Sequence, residues 1–304
     1  MAEVADLGPF LEVLLGGLMS GLLYSLVALG FVLIFKASGV FNFAQGAMVL
    51  FAALALVRLA EWLPLVLAFI VAALIMVAVA YAVERLVLRP RVGQPPQTMF
   101  MATIGIAFCL DGLGQLIWGS DVYTLHLGIP ASPWFILQGV FPGGILLSPV
   151  DAFAALVAGT LVISLSVFLR TTRIGRALRA VADDHQAAQS IGIPLDRIWQ
   201  IVWSLAGLVA LVAGMAWGSK LGVQFSLAEI ALKALPVLIV GGLTSVPGAI
   251  VGGLLIGAGE KLAEVYIGPG LGGGIENWFA YVVALVVLLV RPQGLFGERI
   301  IERV

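Results

Sequence analysis

Apolar stretches of about twenty residues recur along this chain, separated by short polar or glycine-rich breaks, and they restrict it to one architecture. A helix needs about 20 apolar residues to cross the hydrocarbon core of a bilayer, whereas a membrane β-barrel is written in shorter alternating segments. Lipid offers no hydrogen bonds, so runs of this length are helices. With 61% of 304 residues hydrophobic, 11% charged and a mean hydropathy of +1.11, an ordinary soluble domain is excluded. The fold class is all-α: one transmembrane domain over 1–304, a bundle of about eight or nine spans with broken or re-entrant segments.

Helices are expected over 9–35, 41–60, 63–84, 98–118, 149–169, 198–218, a short or broken segment 229–243, 247–267 and 276–291. The first run follows Glu3 and Asp6 rather than a basic region and exceeds a signal-peptide core, so it reads as a retained helix with no cleaved segment expected. Cys109 is the only cysteine. It excludes an intrachain disulfide and a cysteine metal cluster, and a small apolar packing role is expected for it.

Basic residues near span ends stay on the cytoplasmic side. Arg85, Arg89 and Arg91 mark one inner loop, and Arg170, Arg173, Arg176, Arg179 and Arg197 the next. Gly119 to Val150 has no Lys or Arg but carries Tyr123, His126, Pro130, Pro133, Trp134, Pro142, Gly143 and Gly144, which suits an outer loop. Gly268 to Asn277 belongs to the same side. The N-terminus is therefore expected outside and the tail from Arg291 inside. Lys36 falls at an inner end; Arg58, Lys220, Lys233 and Lys261 fall toward outer ends, where long side chains snorkel.

Two segments break the helical pattern at membrane depth, Lys36 to Gly46 and Val240 to Gly248. Irregular backbone survives there only against protein or a water-filled cavity, and paired interruptions often flag a translocation path. Asn42, Gln45 and Ser245 add neutral donors and acceptors; Gly39, Gly241 and Gly242 add small, smooth surface. These six are the candidate pathway residues, the other reading being two tight turns at the inner interface. Gly248-xxx-Gly252 and Gly253-xxx-Gly257 allow close helix approach, expected within one subunit.

Thr171 to Trp199 is the one long polar interruption. Ile174, Ala177, Leu178, Val181, His185, Ala188 and Ile191 recur every three or four residues opposite Arg173, Arg176, Arg179 and Asp183, so the segment is helical but not spanning. Asp183 or Asp184 can cap a second short helix, and Gly192 and Pro194 end it. Such a helix can dock into another protein's groove or lie on lipid.

Four motifs in order carry a resemblance over nearly the whole chain: GLLYSLVALGFVLIFKASGVFNFAQGAM at 21–48, VERLVLRP at 83–90, RIGRALRAVADDHQAAQSIGIPLDRI at 173–198, and GGLTSVPGAIVGGLLIGAGE at 241–260 with RPQGLFG at 291–297. The chain resembles a permease subunit of the branched-chain amino-acid type of bacterial ABC importer, a family that also serves urea, short amides and related solutes. The resemblance implies an inner-membrane protein with a second, homologous permease in a heterodimer, two ATPase subunits that bind ATP, and a periplasmic solute-binding protein. It matches Gln186-Ala187-Ala188 to Gly192 with the family's coupling loop, so that loop, with Arg176 and Asp184, is the expected ATPase contact. Gln186 stands where the coupling loop has Glu, and Gln45 where members often have His.

Asp111 lies deep in the fourth span. An intramembrane carboxylate is a functional candidate by default. It lines the path, or it pairs silently with Arg58, Lys220 or a backbone amide. In the former case a secondary transporter with an ion site near Asp111 is the alternative function, which leaves the basic inner loop unexplained. No Gly-Lys-Ser/Thr phosphate cradle is present, so ATP is expected on partner subunits rather than in this chain, and the spans show no cluster of acids, His or Ser nucleophile at one depth, so no cofactor, metal or enzyme activity is expected. His126 and His185 fall in opposite loops and cannot share a metal. Nothing suggests nucleic acid, and lipid is the remaining partner.

Overall fold

A computed structural model of the protein describes residues 2–91, 94–130, 132–141 and 144–297. Within them, α1 (Ala2–Ser38), α2 (Gln45–Ala60), α3 (Leu65–Ala82), α4 (Pro96–Trp118), α5 (Pro149–Thr171), α8 (Leu195–Leu221), α10 (Val246–Tyr266) and α12 (Phe279–Val290) form the bundle. Six helical segments are long and apolar enough to cross a membrane, and α2 and α12 are shorter apolar helices. The half-length α9 (Ile230–Gly241) completes the expected eight to nine segments. At 12 residues it rises only about 18 Å. The short α6 (Arg173–Asp183), α7 (His185–Ser190) and α11 (Gly268–Leu271) lie between spans.

The bundle is built around α1, which packs along α10 and also against α8, α5 and α9. Glycine makes the α1–α10 approach possible. A Cβ on Gly21 would stand 2.5 Å from the Gly253 carbonyl oxygen, and one on Gly257 at 2.5 Å from that of Gly17. The small-residue spacings thus pack helices within one subunit. In contrast, α3, α4 and α12 turn apolar side chains outward; Leu116 and Leu289 are 81% and 87% exposed. In hydrocarbon such exposure carries no hydrophobic penalty.

The two ends of the bundle sort as the charges suggest. At one end Arg89 pairs with Asp196, Trp199 Nε1 donates to the Ala37 carbonyl (3.0 Å) and Lys36 Nζ to that of Thr244 (3.4 Å). At the other end Lys220 meets Asp151 (3.1 Å), Lys261 meets Glu276 (2.8 Å), and Glu12 accepts from the Leu146 N–H. The loop 119–148 at that end contains a small hairpin that periodicity did not reveal, β1 (Trp134–Ile136) antiparallel to β2 (Ile145–Leu147). Three-residue strands are too short for a two-residue period to register. Pro142, Gly143 and 298–304 of the expected tail lie outside the described residues.

Other departures are local. The span expected from 41 begins at Gln45, because Asn42 diverts the backbone. The expected helix end at 84 is replaced by a wider π-helical turn, Val83–Leu88, and a 3-10 turn, Arg89–Arg91. Cys109 is exposed rather than packed inside, on a lateral groove between α3 and α4. A groove open to lipid needs no polar match, so composition does not distinguish it from core.

Candidate functional site

The first break is a re-entrant wall. After α1 ends, residues 39–44 leave helical geometry, starting with Gly39 at φ +67°, a value costly for other residues. The chain folds back along α1, for Gln45 packs onto Gly30, about two turns before the end of that helix. Asn42 organises the return. Its Oδ1 accepts from the Ala44 N–H (3.1 Å) and its Nδ2 donates to Gln45 Oε1 (3.3 Å). Thr103 on α4 supplies the missing partner for freed backbone: its hydroxyl accepts from the Phe43 N–H (3.3 Å). Thr103 was not among the sequence candidates, since a lone Thr in an apolar helix has no pattern to mark it.

Phe31, Phe41, Phe43 and Ala47 on this side face Ala107, Phe108 and Asp111 of α4, Ala228 and Glu229 of the turn before α9, and Leu232 and Leu235 of α9. They line a cavity of about 350 Å³ that is open on one side, where Phe108 and Leu232 are 73% and 51% exposed. Phe41 lies between Phe31 and Phe43, with ring centroids 4.9 and 4.7 Å apart. The second wall of the cavity is the junction where a 3-10 turn at Phe225–Glu229 passes into α9, through Ala228, Glu229, Ala231, Leu232 and Leu235. The expected short segment 229–243 holds most of this wall, and the turn before it was not read from the sequence. The signal was present in Gly222 and in the short reach of α9, but the stretch reads as an ordinary connection.

Asn42 and Gln45 are fully buried behind this cavity and hold its wall. Asp111 lines it. Its expected silent partners are otherwise engaged: Arg58 pairs with Glu61 (2.6 Å) and Lys220 with Asp151. Among the described residues nothing donates to Asp111 Oδ1, which is buried. Neither Arg58 nor Lys220 pairs with Asp111 in this arrangement.

The second break does not join this cavity. Gly241 lies against Gly248 backbone to backbone, and Gly242 (φ +104°) against Gly294 and Gly297. The motif at 291–297 closes over the turn, with Leu295 N donating to the Val240 carbonyl and Phe296 N to that of Gly241. Ser245 caps α10 by accepting from the Gly248 N–H (3.0 Å). Thr244 and Ser245 line a separate hollow of about 180 Å³ with Lys36, Arg170 and Arg179.

On the same end, α6 and α7 are joined through Asp184, whose extended backbone breaks the helix between them. Of the two candidate caps it is Asp184 that caps α7, its Oδ1 accepting from the N–H groups of Gln186 (2.8 Å) and Ala187 (3.0 Å). Leu178, Val181 and Ala188 are buried against the bundle and His185 packs on Trp199. Most of the apolar stripe thus seats the element on its own chain. Arg176, Asp184, Gln186, Ala187 and Gly192 are exposed, and Ile191, read as part of the stripe, is 74% exposed at the tip. A three- to four-residue period shows a face but not what covers it.

A multi-pass helical bundle with a membrane-depth cavity and no group of three or more His, Cys, Asp or Glu able to hold a metal among its described residues has the form of a transport permease. The sequence profile described as branched-chain amino acid transport system / permease component matches residues 13–291. The chain belongs to that family of inner-membrane ABC permeases. It is a family of transport components, not of enzymes. Full-length similarity extends to the high-affinity branched-chain amino acid transport system permease protein LivH of Salmonella typhimurium, at 28% identity over 97% of this chain and 98% of the relative. BraD of Pseudomonas aeruginosa is 27% identical over the same shares, and a probable LivH of Methanocaldococcus jannaschii 28% over 96% and 94%. The solved structure of PsaBC from Streptococcus pneumoniae in complex with Fab shares the fold, with a TM-score of 0.54 at 13% identity over 97% of this chain and 98% of that one.

Proposed function

We propose that the chain forms half of the translocation path of an ABC importer, driven by ATPase subunits that dock on α7, and that its solute is a branched-chain or related amino acid. Urea, amides and aromatic acids are the other solutes the family resemblance allows. The N-terminus lies outside and the C-terminal tail in the cytoplasm, in keeping with the arginines gathered at the α6 end. A homologous second permease completes a heterodimer, ATP is bound by two ATPases, and a periplasmic protein delivers the solute. The named relatives are permeases of branched-chain amino acid systems, which supports the solute assignment.

The observation that carries the reading is the presentation of α7. Its polar face and Ile191 project from a base fixed by Ala188, Leu178 and Val181, so a push on the exposed face is transmitted to α8 and α1. The path runs past Asp111 and the Phe41–Phe43 wall. Gly39, Asn42 and Gln45 shape that wall, while Gly241, Gly242 and Ser245 hold the inner turn against which it moves. A secondary transporter would need its own coupling-ion site, and family membership does not favour it.

Ile191→Glu tests the docking assignment. In proteoliposomes containing the whole importer, it is expected to abolish uptake while the variant chain still inserts and melts normally. Undiminished uptake would remove α7 as the ATPase contact. Ala188→Glu is a poorer probe, because it buries a charge within the chain.

A further inference from the structure

The cavity is lined by a carboxylate, Asp111, with no counter-charge among the described residues. Asp111 stands about 22 Å along α4 from its start and about 10 Å from its end, within hydrocarbon. The cations of the surrounding half are committed elsewhere: Arg58 to Glu61, Lys220 to Asp151, Lys233 to Glu260 (3.6 Å) and Lys261 to Glu276. Among the described residues nothing donates to the buried Asp111 Oδ1, and Glu229, exposed at the rim, adds a second carboxylate to the same lining. The remaining walls are phenylalanine rings and aliphatic side chains. Ring faces attract cations, and the apolar lining partly shields a charge at Asp111 from water, which strengthens both contacts.

We infer that Asp111 with the Phe41–Phe43 wall is a recognition site for the primary ammonium group of a solute whose body is short and apolar. The inference rests on the cavity being the translocation path. A volume of about 350 Å³ suits a small organic molecule. The ammonium donates to Asp111 Oδ1, and the apolar body lies against Ala107, Leu232 and Leu235. A neutral amide or urea would leave the carboxylate without its charge partner. Asp111 therefore makes the permease itself selective for amine-bearing solutes, in addition to any selection by the delivering protein.

The test uses the purified, assembled importer and dicyclohexylcarbodiimide, which modifies carboxyl groups in apolar surroundings. Modification of Asp111 is followed by mass spectrometry with 3-methylbutylammonium or 3-methylbutan-1-ol present. The ammonium compound is expected to slow labelling at least about fivefold more than the alcohol, the scale of one charge-assisted hydrogen bond. Equal protection by both, or by neither, overturns the proposal. In parallel, Asp111→Asn is expected to lower leucine uptake by about tenfold while binding-protein-stimulated ATP hydrolysis persists, with Asp111→Glu restoring much of it. Normal uptake by Asp111→Asn overturns the proposal. So does loss of the second permease on purification, which would make Asp111 a counter-ion for that subunit. To separate the site from the path, Ala107→Cys in a Cys109→Ala background is labelled with a bulky thiol reagent. If labelling blocks uptake and Asp111→Asn does not, the path stands and ammonium recognition falls; if labelling leaves uptake intact, the path itself is misplaced.

Discussion

The breaks at 36–46 and 240–248 look alike on paper and behave oppositely in the bundle. Both are short, glycine-bearing and interrupted at membrane depth, yet one becomes a cavity wall and the other a backbone-packed turn. The difference lies in what each meets. Residues 41–47 face the side chains of Phe108 and Asp111, the end of the 225–229 turn and the start of α9, which leave space between them. Gly241 faces Gly248, and the 291–297 segment seals the outside with two backbone hydrogen bonds. In the first break Gly46 closes on the Ala228 carbonyl while Phe41, Phe43 and Ala47 beside it leave room, whereas in the second Gly241 meets Gly248 and the backbones close with nothing between them.

If that contrast is right, the largest effect comes from forcing the closed break open. Gly241→Val places branched carbon inside the contact distance of the Gly248 carbonyl, with rigid backbone on both sides. A loss of about 3 kcal/mol or more is expected, seen as a collapse of the melting temperature in detergent. A variant of normal stability would mean that the turn is mobile and that the two breaks are more alike than described.

The open break should respond through function before stability. Thr103→Val keeps the shape of the side chain but removes the acceptor for the Phe43 N–H and the donor to the Phe100 carbonyl (2.9 Å). Leaving the Phe43 N–H unsatisfied costs about 1–3 kcal/mol and loosens the wall. Uptake is expected to fall several-fold with the complex still assembled; unchanged uptake would detach the wall from the path. Thr103→Ser, which retains the hydroxyl, should recover most of the activity.

The smallest effect sharpens the comparison from the closed side. Ser245→Ala removes one helix cap, a change of about 1 kcal/mol. Because Ser245 lies away from the Asp111 cavity, uptake should remain within about twofold of the original, a change no larger than that cap can explain. A strong transport defect in a stable Ser245→Ala protein would restore the second break to the pathway and require the hollow beside Lys36 to be part of it.

Asn42 and Gln45 illustrate how far the sequence could be read. Their position at a break in an apolar run marked where the helix yields to irregular backbone, and in the structure both are fully buried behind the wall rather than on its surface. Asp111 was visible as a lone intramembrane acid, and its environment was not, because Arg58 and Lys220 were equally available partners until Glu61 and Asp151 claimed them. Ala188 and Ile191 fall on the same helical period, and one is buried while the other is the exposed tip. Periodicity is a property of one helix, and burial depends on its neighbours.

The sequence by itself determined that this chain is a helical membrane protein, that its basic residues gather at one end, that a short amphipathic pair of helices interrupts the spans there, and which family it resembles. These follow from hydropathy, charge and capping, which act over a few neighbouring residues. Only the tertiary structure decided which break borders the Asp111 cavity, that the end of the 225–229 turn and the start of α9 form its second wall, and that Asp111 faces it with no counter-charge among the described residues. Those outcomes depend on residues such as Asn42, Thr103, Asp111 and Glu229, brought together from distant parts of the chain by the packing of α1 against α10 and α8, and no local pattern records that packing.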